Sequence, residues 1–356
     1  MENKNIIIAA SGTGGHIYPG ISLAKEFKDN GYNVTFFISN NEASANIMKN
    51  SGFEFITFNL SGMPRGFSIR FFSFAFKLFC SFIKSLKMIY KIKPSAVIGT
   101  GGYISVPSVA AAKMLGAKTF LHEQNSLPGA ANKLLNRIAD MTFISFKGSE
   151  KYFARKTFFS GYPVRKDIFS VSKEEALRKF GFESGVLTLL VFGGSLGALK
   201  INETAFEASK ELASKEKIQV LHITGSKGYE EINGKVRNLP WYKAFCYMHD
   251  IQYAYAASDI AVCRAGAGTV FELKTLNKPA VLIPYPHAAD NHQFYNAEEI
   301  KKDGFVEVIE EKNLTPESLL SAVKKIKTDL KNGQTVLRGE FSREIIYGEI
   351  TKCIKS

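Results

Sequence analysis

The first half of this 356-residue chain contains a long stretch without acidic residues. No Asp or Glu lies between Glu54 and Glu123, whereas nine lysines and arginines do. The whole chain has 46 basic and 33 acidic residues, a formal net charge of +13, so most of the excess comes from this one segment. A positive field concentrated in this way indicates an anionic ligand or surface nearby.

Cysteines, long apolar runs and paired acids are also scarce. The four cysteines lie far apart without a Cys-x-x-Cys pair, which favours reduced thiols in a cytosolic protein. No run of 18 uncharged apolar residues occurs, so we expect no membrane-spanning helix, and a strand predicted from Asn5 leaves no visible signal peptide. The absence of any Asp-x-Asp pair removes the acid pair of many metal-dependent sugar transferases, so we expect neither a metal nor a cofactor.

Short apolar runs alternate with helical patterns along the whole chain. This alternation predicts an α/β fold built from βαβ units, and the continuous apolar character of the strands predicts parallel sheets. The predicted strands are residues 5–10, 34–38, 55–58, 95–98, 118–121, 141–144, 157–159, 186–192, 218–223, 243–247, 259–262, 280–283 and 305–308.

The series restarts near the middle of the chain. One strand enters the glycine-rich turn 11–16, and about 180 residues later another enters the turn 193–198, each followed by a helix. Gly and Pro interrupt the pattern at residues 160–165, where a new helix begins. We therefore expect two Rossmann-like domains, residues 1–162 and 163–339, and a terminal helix at about 340–356 that returns to the first.

The glycines of the first turn allow a close approach to a ligand or a tight turn between strand and helix, and a purely structural turn remains an alternative. The turn is no Walker loop, because no Gly-Lys-Ser/Thr follows, and it is a poor dinucleotide fingerprint. His16 lies in this turn, ahead of Pro19 at an expected early helical position. It is a candidate general base, with a capping or surface group as the alternative.

Two further loops of the first half follow predicted strands. The turn 99–103 is again rich in glycine, and the polar tetrad 122–125 (His-Glu-Gln-Asn) ends the next strand. A structural turn and a capping role are the alternatives. Because the carboxyl ends of parallel strands share one edge, we expect these loops to lie beside His16.

Residues 264–296 carry the most informative pattern of the second half. A buried strand runs into a glycine-broken turn and a helix, and a second strand then leads to a polar loop and another helix. Two helix N-termini at a sheet edge suit a diphosphate, while Glu272 and Gln293 suit sugar hydroxyls. The pattern indicates a nucleotide-sugar pocket. A capping box from Thr269 to Glu272 and a solvated face at Gln293 and Asn296 are the alternatives.

Residues 66–93 combine seven phenylalanines with a basic stripe and no acid. Arg70, Lys77, Lys84 and Lys91 recur every seven residues, so they lie along one side of a helix. This composition favours an interfacial helix on anionic lipid. An ordinary helix with a basic solvent face is the alternative, and nucleic acid is disfavoured because the aromatics crowd into one apolar run.

The motifs together resemble the MurG family of GlcNAc transferases. The matching segments, in family order, are GTGGHIYPG, GTGGYISVP, HEQNSLPGAANKLL, the Gly-Tyr-Pro-Val-Arg linker, GGSLGALKIN and RAGAGTVFEL with KPAVLIPYPHAADNHQFYNA. They cover residues 11 to about 297. The resemblance implies a GT-B fold, two Rossmann-like domains facing across a cleft, and inverting, metal-independent transfer of GlcNAc from UDP-GlcNAc. The acceptor would be the MurNAc C4 hydroxyl of undecaprenyl-pyrophosphoryl-MurNAc-pentapeptide, at the cytoplasmic face of the bacterial plasma membrane.

The resemblance also assigns site residues. Arg165 and Ser195 would contact the diphosphate and nearby groups, the Met248 backbone would meet uracil, Glu272 would bind the ribose and Gln293 the GlcNAc. The phosphate turn would comprise Ala267, Gly268, Thr269 and Val270. The first half would close over the sugar with Thr13, Gly14, Gly15 and Asn125, and His16 is the expected base.

Two positions depart from the family pattern. Leu196 stands where Gln is common, which removes a possible side-chain contact, and Met248 stands where a branched residue is common. Other readings also stay open: a UDP-GlcNAc 2-epimerase of the same fold, another lipid-acceptor GT-B transferase such as a diacylglycerol sugar transferase, and a non-catalytic nucleotide-sugar binding module.

Overall fold

The computed structural model describes residues 4–10, 14–60, 62, 69–194, 197–304, 306–331 and 342–355. Its contacts divide the chain into two units. The N-terminal unit is Met1–Val164 with Glu340–Ser356, and the C-terminal unit is Arg165–Gly339. The division falls two residues after the predicted boundary.

The N-terminal unit contains a seven-stranded parallel sheet in the order β3-β2-β1-β4-β5-β6-β7. Strand β1 is apolar and buried from Ile6 to Ala10, as expected for a strand of a parallel sheet that is covered on both faces. The strands are β1 Asn5–Ala10, β2 Asn33–Ser39, β3 Glu54–Phe58, β4 Ala96–Gly99, β5 Lys118–Glu123, β6 Met141–Ile144 and β7 Phe158–Phe159.

Helices cover both faces of this sheet. They are α1 Gly14–Asp29, α2 Glu42–Ser51, α3 Ile69–Ile92, α4 Ser105–Met114 and α5 Ala130–Leu135, with a 3₁₀ helix at Lys147–Tyr152. Pro19 lies inside α1 at its sixth residue, so the expected early helical position was wrong, because the helix already begins within the glycine turn. His16 is consequently the third residue of α1.

The C-terminal unit contains a six-stranded parallel sheet in the order β10-β9-β8-β11-β12-β13. The strands are β8 Leu187–Phe192, β9 Ile218–Ile223, β10 Tyr242–Phe245, β11 Ile260–Cys263, β12 Ala280–Leu282 and β13 Val306–Val308. All thirteen predicted strands are thus present, with ends that differ by at most two residues. The α/β class with parallel sheets is confirmed.

Seven helices of the described ranges accompany these strands. They are α6 Lys173–Phe180, α7 Leu199–Ala213, α8 Tyr229–Val236, α9 Ile251–Ala257, α10 Ala267–Thr275, α11 His292–Lys301 and α12 Pro316–Lys331. Short 3₁₀ helices occupy Lys166–Phe169, Ala289–Asn291 and Glu311–Asn313.

The terminal helix α13, Ser342–Lys355, packs against α1 of the N-terminal unit. Ile346 and Ile350 are fully buried in the same core cluster as Phe27. Arg343, also buried, forms an ion pair with Glu26 at 3.2 Å. The expectation that this helix returns to the first half is consistent with these contacts.

Strand order determines which loops meet in each unit. In the N-terminal unit β1 lies between β2 and β4, so the chain reverses its direction of winding there. In the C-terminal unit β8 lies between β9 and β11 in the same way. Ligands of open parallel sheets bind at the carboxyl ends of strands beside such a switch point. Both glycine-rich turns follow a switch-point strand.

The helix α3 is the longest of the described helices, at 24 residues. Within the residues that the structure describes, no helix is both long and apolar enough to cross a membrane.

Candidate functional site

The first glycine turn of the N-terminal unit continues directly into α1. Gly14 and Gly15 are its first two residues, so their N–H groups are among those that a helix leaves without an internal acceptor. A Cβ on Gly14 would lie 2.7 Å from the Tyr18 ring, so a larger residue would require that side chain to move. Thr13 lies outside the described residues.

His16 is held by the loop that follows β4 and by the end of β5. Its Nδ1 lies 3.1 Å from the Thr100 carbonyl oxygen and also contacts the Gln124 amide. The Thr100 hydroxyl donates back to the His16 carbonyl at 2.7 Å. Loops after β1, β4 and β5 therefore meet at one imidazole, as the strand order requires.

The polar tetrad 122–125 spans the end of β5, and its first three members are buried. His122 and Glu123 are buried, and burial lowers the pKa of His122 to about 4, although its contact with the Gly161 carbonyl raises it. Glu123 accepts from the Asn125 and Gly129 backbone and from the Asn132 amide, at 2.9 to 3.1 Å. These two residues shape the loop from inside.

Asn125 is the half-buried member of the tetrad, next to the buried Gln124. Its backbone N–H is held by Glu123, which orders the start of the loop beyond β5. The structure therefore brings Gly14, Gly15, His16 and Asn125 to one carboxyl edge of the sheet, where β1 and β5 lie on either side of β4.

In the C-terminal unit, the turn after β8 depends on its glycines for close packing. A Cβ on Gly197, which has φ +79°, would lie 2.0 Å from the Thr224 carbonyl oxygen. A Cβ on Gly193 would lie 2.5 Å from that of Ala198. Ser195 and Leu196 lie outside the described residues, so the predicted Ser195 contact stays a prediction.

A buried polar network supports this turn from below. Asn202 donates to the Thr224 carbonyl at 2.9 Å, and its side-chain oxygen lies 3.0 Å from His222 Nε2. The other ring nitrogen of His222 lies 2.7 Å from the Tyr242 hydroxyl. Burial lowers the pKa of His222 to about 3, so the ring stays neutral and the network carries no charge at neutral pH.

The turn after β11 ends in the N-terminus of α10. Its N-cap is Gly266, which has no side chain to satisfy the first N–H groups, those of Ala267, Gly268 and Thr269. A helix start of this kind suits an anion. Val270 differs, because its side chain is buried and its N–H donates to the Gly266 carbonyl at 3.0 Å. We therefore expect Val270 to support the turn from within.

Glu272 lies one turn into α10 and is held on two sides. Tyr255 donates its hydroxyl to Glu272 Oε2 at 2.9 Å, and Arg165 Nε lies 3.5 Å from Oε1. Because Thr269 is the third residue of the helix and Gly266 its cap, the capping-box alternative was wrong. Burial raises the pKa of Glu272, and Arg165 and Tyr255 counteract part of that rise.

Arg165 links this carboxylate to a second one. Its Nε also lies 3.3 Å from Asp167, and its side chain is 26% exposed. The guanidinium thus lies beside the predicted ribose-binding Glu272, and its predicted contact with a diphosphate stays a prediction.

Gln293 and Asn296 lie on the first turns of α11 but have different environments. Gln293 accepts from the Tyr285 backbone N–H at 3.0 Å through its Oε1, which leaves its amide NH₂ group as the donor end. Asn296 is fully buried and donates to the Ala265 carbonyl at 3.3 Å. Asn296 therefore joins α11 to the α10 turn, which contradicts a solvated face at that position.

Met248 lies in the loop between β10 and α9, at the same carboxyl edge of the sheet as the other C-terminal loops. Its half-buried position is compatible with the predicted backbone contact to a base. Among the described residues, no group of three or more His, Cys, Asp or Glu side chains could hold a metal ion.

Three residues that support the site were not predicted as site residues from the sequence. Tyr255 holds Glu272, Tyr285 holds Gln293, and Asn202 bonds Thr224 beneath the turn after β8, each across 8 to 22 positions. Asn202 and Tyr285 lie within the family-like motifs, whereas Tyr255 lies outside them.

Both units match known protein families. The sequence model of the glycosyltransferase family 28 N-terminal domain matches residues 6–144, and that of the C-terminal domain matches residues 188–345. A curated relative from Elusimicrobium minutum (strain Pei191), the UDP-N-acetylglucosamine--N-acetylmuramyl-(pentapeptide) pyrophosphoryl-undecaprenol N-acetylglucosamine transferase, is 37% identical over 317 residues. The alignment covers 88% of this chain and 87% of the relative.

Solved structures extend the comparison. The crystal structure of Acinetobacter baumannii MurG has a TM-score of 0.71 and 25% identity, and the match covers 91% of this chain and 90% of that one. A putative UDP-N-acetylglucosamine 2-epimerase from Listeria monocytogenes has a TM-score of 0.68 at 12% identity, covering 99% and 96%. The second likeness reports the shared fold alone.

Proposed function

The chain belongs to the MurG family within glycosyltransferase family 28, and on that premise we propose how its site performs the transfer of GlcNAc. The donor is UDP-GlcNAc, and the acceptor is the MurNAc C4 hydroxyl of undecaprenyl-pyrophosphoryl-MurNAc-pentapeptide. The reaction is a step of peptidoglycan synthesis in the bacterial cell wall.

The donor binds at the carboxyl edge of the C-terminal sheet. The observation that carries this assignment is the uncapped start of α10 with Glu272 one turn further on. Backbone N–H groups of Ala267 to Thr269 stabilise the diphosphate, and Glu272 accepts hydrogen bonds from the ribose hydroxyls. Gln293 offers its NH₂ group to the GlcNAc hydroxyls because its oxygen is already held by Tyr285.

Transfer proceeds by direct displacement. The C4 hydroxyl oxygen of the acceptor forms a bond to the anomeric carbon, and the bond from that carbon to the UDP oxygen breaks on the opposite face, which inverts the centre. His16 takes the hydroxyl proton as general base. The negative charge that develops on UDP is stabilised by the oriented N–H groups of the helix start, without a metal ion in the step.

Incubation with UDP-GlcNAc alone, and then with a prenyl-pyrophosphoryl-MurNAc acceptor, tests this function. We expect UDP release only when the acceptor is present. A change of the sugar without acceptor would support the 2-epimerase reading instead, and release with a diacylglycerol acceptor alone would support another lipid-acceptor transferase.

We further propose that α3 holds the enzyme at the cytoplasmic face of the plasma membrane as a peripheral protein. Residues Ile69–Ile92 form one helix whose exposed apolar stripe consists of Phe72, Phe76, Phe79, Ile83 and Tyr90, each 49–72% exposed. Their spacings of four, three, four and seven residues align them on one face. Lysines flank this face, and an ordinary basic solvent face does not explain exposed aromatic rings.

The basic residues of α3 are not all available to lipid. Lys84 donates to the Thr57 carbonyl at 2.7 Å and lies 4.9 Å from the centroid of the Phe58 ring, at the edge of the sheet. Lys87 and Lys91 are exposed and remain candidates for lipid headgroups. The predicted segment begins at residue 66, and residues 66–68 lie outside the described part of the chain.

Replacing Phe76 and Phe79 together with alanine should weaken binding to anionic liposomes by about tenfold or more, because two rings no longer enter the lipid interface. Co-sedimentation with and without anionic lipid, at low and high salt, measures the effect. The matched control replaces Phe159 and Phe169, which are 56% and 47% exposed and lie outside α3, and should bind as the parent does. Equal binding of both double variants, or binding insensitive to salt, contradicts the proposal.

Replacing Tyr255 with phenylalanine should raise the KM for UDP-GlcNAc by about three- to tenfold, with little change in kcat. A change of this size corresponds to the usual net contribution of one hydrogen bond. The hydrogen bond from Tyr255 lowers the pKa of Glu272, so its loss raises that pKa further. The carboxylate is then protonated at a higher pH than in the parent, and the KM defect should grow as the pH falls. Initial rates across a pH series measure it, and a defect confined to kcat would contradict this role.

A further inference from the structure

The side chain of Gln124 touches the proposed base but has no role so far. It is 1% exposed, follows β5 directly, and contacts His16 Nδ1 across 108 positions of sequence. A buried amide is costly unless its polar atoms are paired. Its placement therefore has a reason beyond packing.

The Thr100 carbonyl decides which ring nitrogen of His16 carries the proton. It lies 3.1 Å from Nδ1, and a carbonyl oxygen only accepts. Nδ1 therefore carries the hydrogen in the neutral ring. The basic lone pair then belongs to Nε2, on the side of the ring that faces away from Thr100.

The Gln124 side chain can accept a hydrogen bond from Nδ1–H only when its amide oxygen, and not its NH₂ group, points at the ring. An NH₂ group pointing at an Nδ1–H would bring two donors together, whereas the amide oxygen would accept from it. The oxygen and nitrogen of a glutamine amide have nearly the same shape and are assigned from their partners. Among the described residues, the Gln124 oxygen has no other hydrogen-bond partner.

Gly101 makes room for this three-way contact. A Cβ at position 101 would lie 2.6 Å from His16 Nδ1 and 3.4 Å from the Gln124 amide. Its φ of +105° is also one that other residues rarely adopt. The glycine thus allows the Thr100 carbonyl, the Gln124 amide and the imidazole to meet.

We propose that Gln124 is a positioning residue that presents its side-chain oxygen to His16 Nδ1–H and, with the Thr100 carbonyl, keeps the basic lone pair on Nε2. Gln124 acts through His16 and does not touch the substrate. The inference rests on the proposed function only where it names His16 as the base. The tautomer of the ring is a property of the enzyme without substrate and does not depend on that function.

Nitrogen NMR of the full-length protein with ¹⁵N-labelled histidine tests the tautomer directly. The protonated and unprotonated nitrogens of a neutral imidazole have well-separated shifts, and the His16 signals are those that vanish in a His16→Gln variant. We expect His16 to be protonated on Nδ1 in the parent protein. Protonation on Nε2 would overturn the proposal, whatever the activity of any variant.

Kinetics of two substitutions at position 124 test the role of the oxygen. Gln124→Met keeps the length of the side chain without an acceptor and should lower kcat by about tenfold, with an unchanged KM for UDP-GlcNAc. Gln124→Glu keeps an acceptor for Nδ1–H and should restore most of the lost kcat. A Met variant as fast as the parent, or a Glu variant slower than the Met variant, contradicts the proposal.

The experiments distinguish between two errors: that His16 is not the base, and that Gln124 does not position the His16 ring. A His16→Ala variant with normal turnover would remove His16 from the reaction, yet the NMR experiment would still report which nitrogen of His16 carries the proton. If Gln124→Met does not fold, as judged by its melting transition, Gln124→Glu carries the test of the oxygen, and a Glu variant slower than the parent by about tenfold or more contradicts the proposal.

Discussion

We expect replacement of His16 with alanine to lower acceptor-dependent turnover by about 10²-fold or more, the usual contribution of a positioned general base. The imidazole is held by the Thr100 carbonyl and the Gln124 amide, so alanine removes a preorganised group. UDP release in the presence of saturating acceptor measures the change.

The affinity for UDP-GlcNAc provides the control for this variant. The proposed nucleotide contacts belong to the C-terminal unit, so titration calorimetry should give a nearly unchanged Kd. Near-normal turnover would exclude His16 as the base, and a large loss of donor affinity would show that the ring acts in binding.

Replacing Glu272 with glutamine should reduce discrimination between UDP-GlcNAc and its 2′-deoxyribose analogue. A hydrogen bond to a charged group contributes about 1.5–3 kcal/mol, so the parent should favour the ribose donor by roughly 10- to 10²-fold in kcat/KM. The variant should lose most of this preference because the neutral amide accepts more weakly. Rates with the two donors, compared within each variant, measure the ratio.

Asp167→Asn is the matched control for this experiment. Asp167 is the other carboxylate near Arg165, at 3.3 Å, and it has no predicted contact with the ribose. Its substitution perturbs the same guanidinium, whereas the ratio between the two donors should persist. If both variants lose the ratio equally, the discrimination comes from the charge on Arg165, and Glu272 does not read the ribose directly.

Local sequence patterns were sufficient to predict the strands of both sheets. Strands such as Leu187–Phe192 are buried on both faces, so they are mostly apolar runs, which the sequence shows directly. The wrong predictions concern the exact residues at which helices begin. Pro19 lies deeper in its helix than expected because α1 already begins at Gly14, and Thr269 is not the cap of α10 because Gly266 is.

The sequence predicted which loops form the candidate site, but it did not predict most of the contacts between their side chains. Gly14, Gly15 and His16, like Ala267 to Glu272, follow strands whose carboxyl ends must share one edge of a parallel sheet. Their partners do not follow from such a rule. Val270 faces the core, Asn296 is buried against Ala265, and Tyr255 lies under Glu272, all because of packing between neighbouring helices.

Periodicity and contiguous motifs were enough to establish the α/β class, the two units that each open on a glycine-rich turn, the family and the loops that carry the site. The side chains that hold the reactive groups became known only from the folded structure. Gln124 and His16 are 108 residues apart, and Tyr255 and Glu272 belong to different helices. The first pair meets because strand order brings distant loops to one edge, and the second meets because helices α9 and α10 lie close together. The protonation and charge of a site depend on such neighbours.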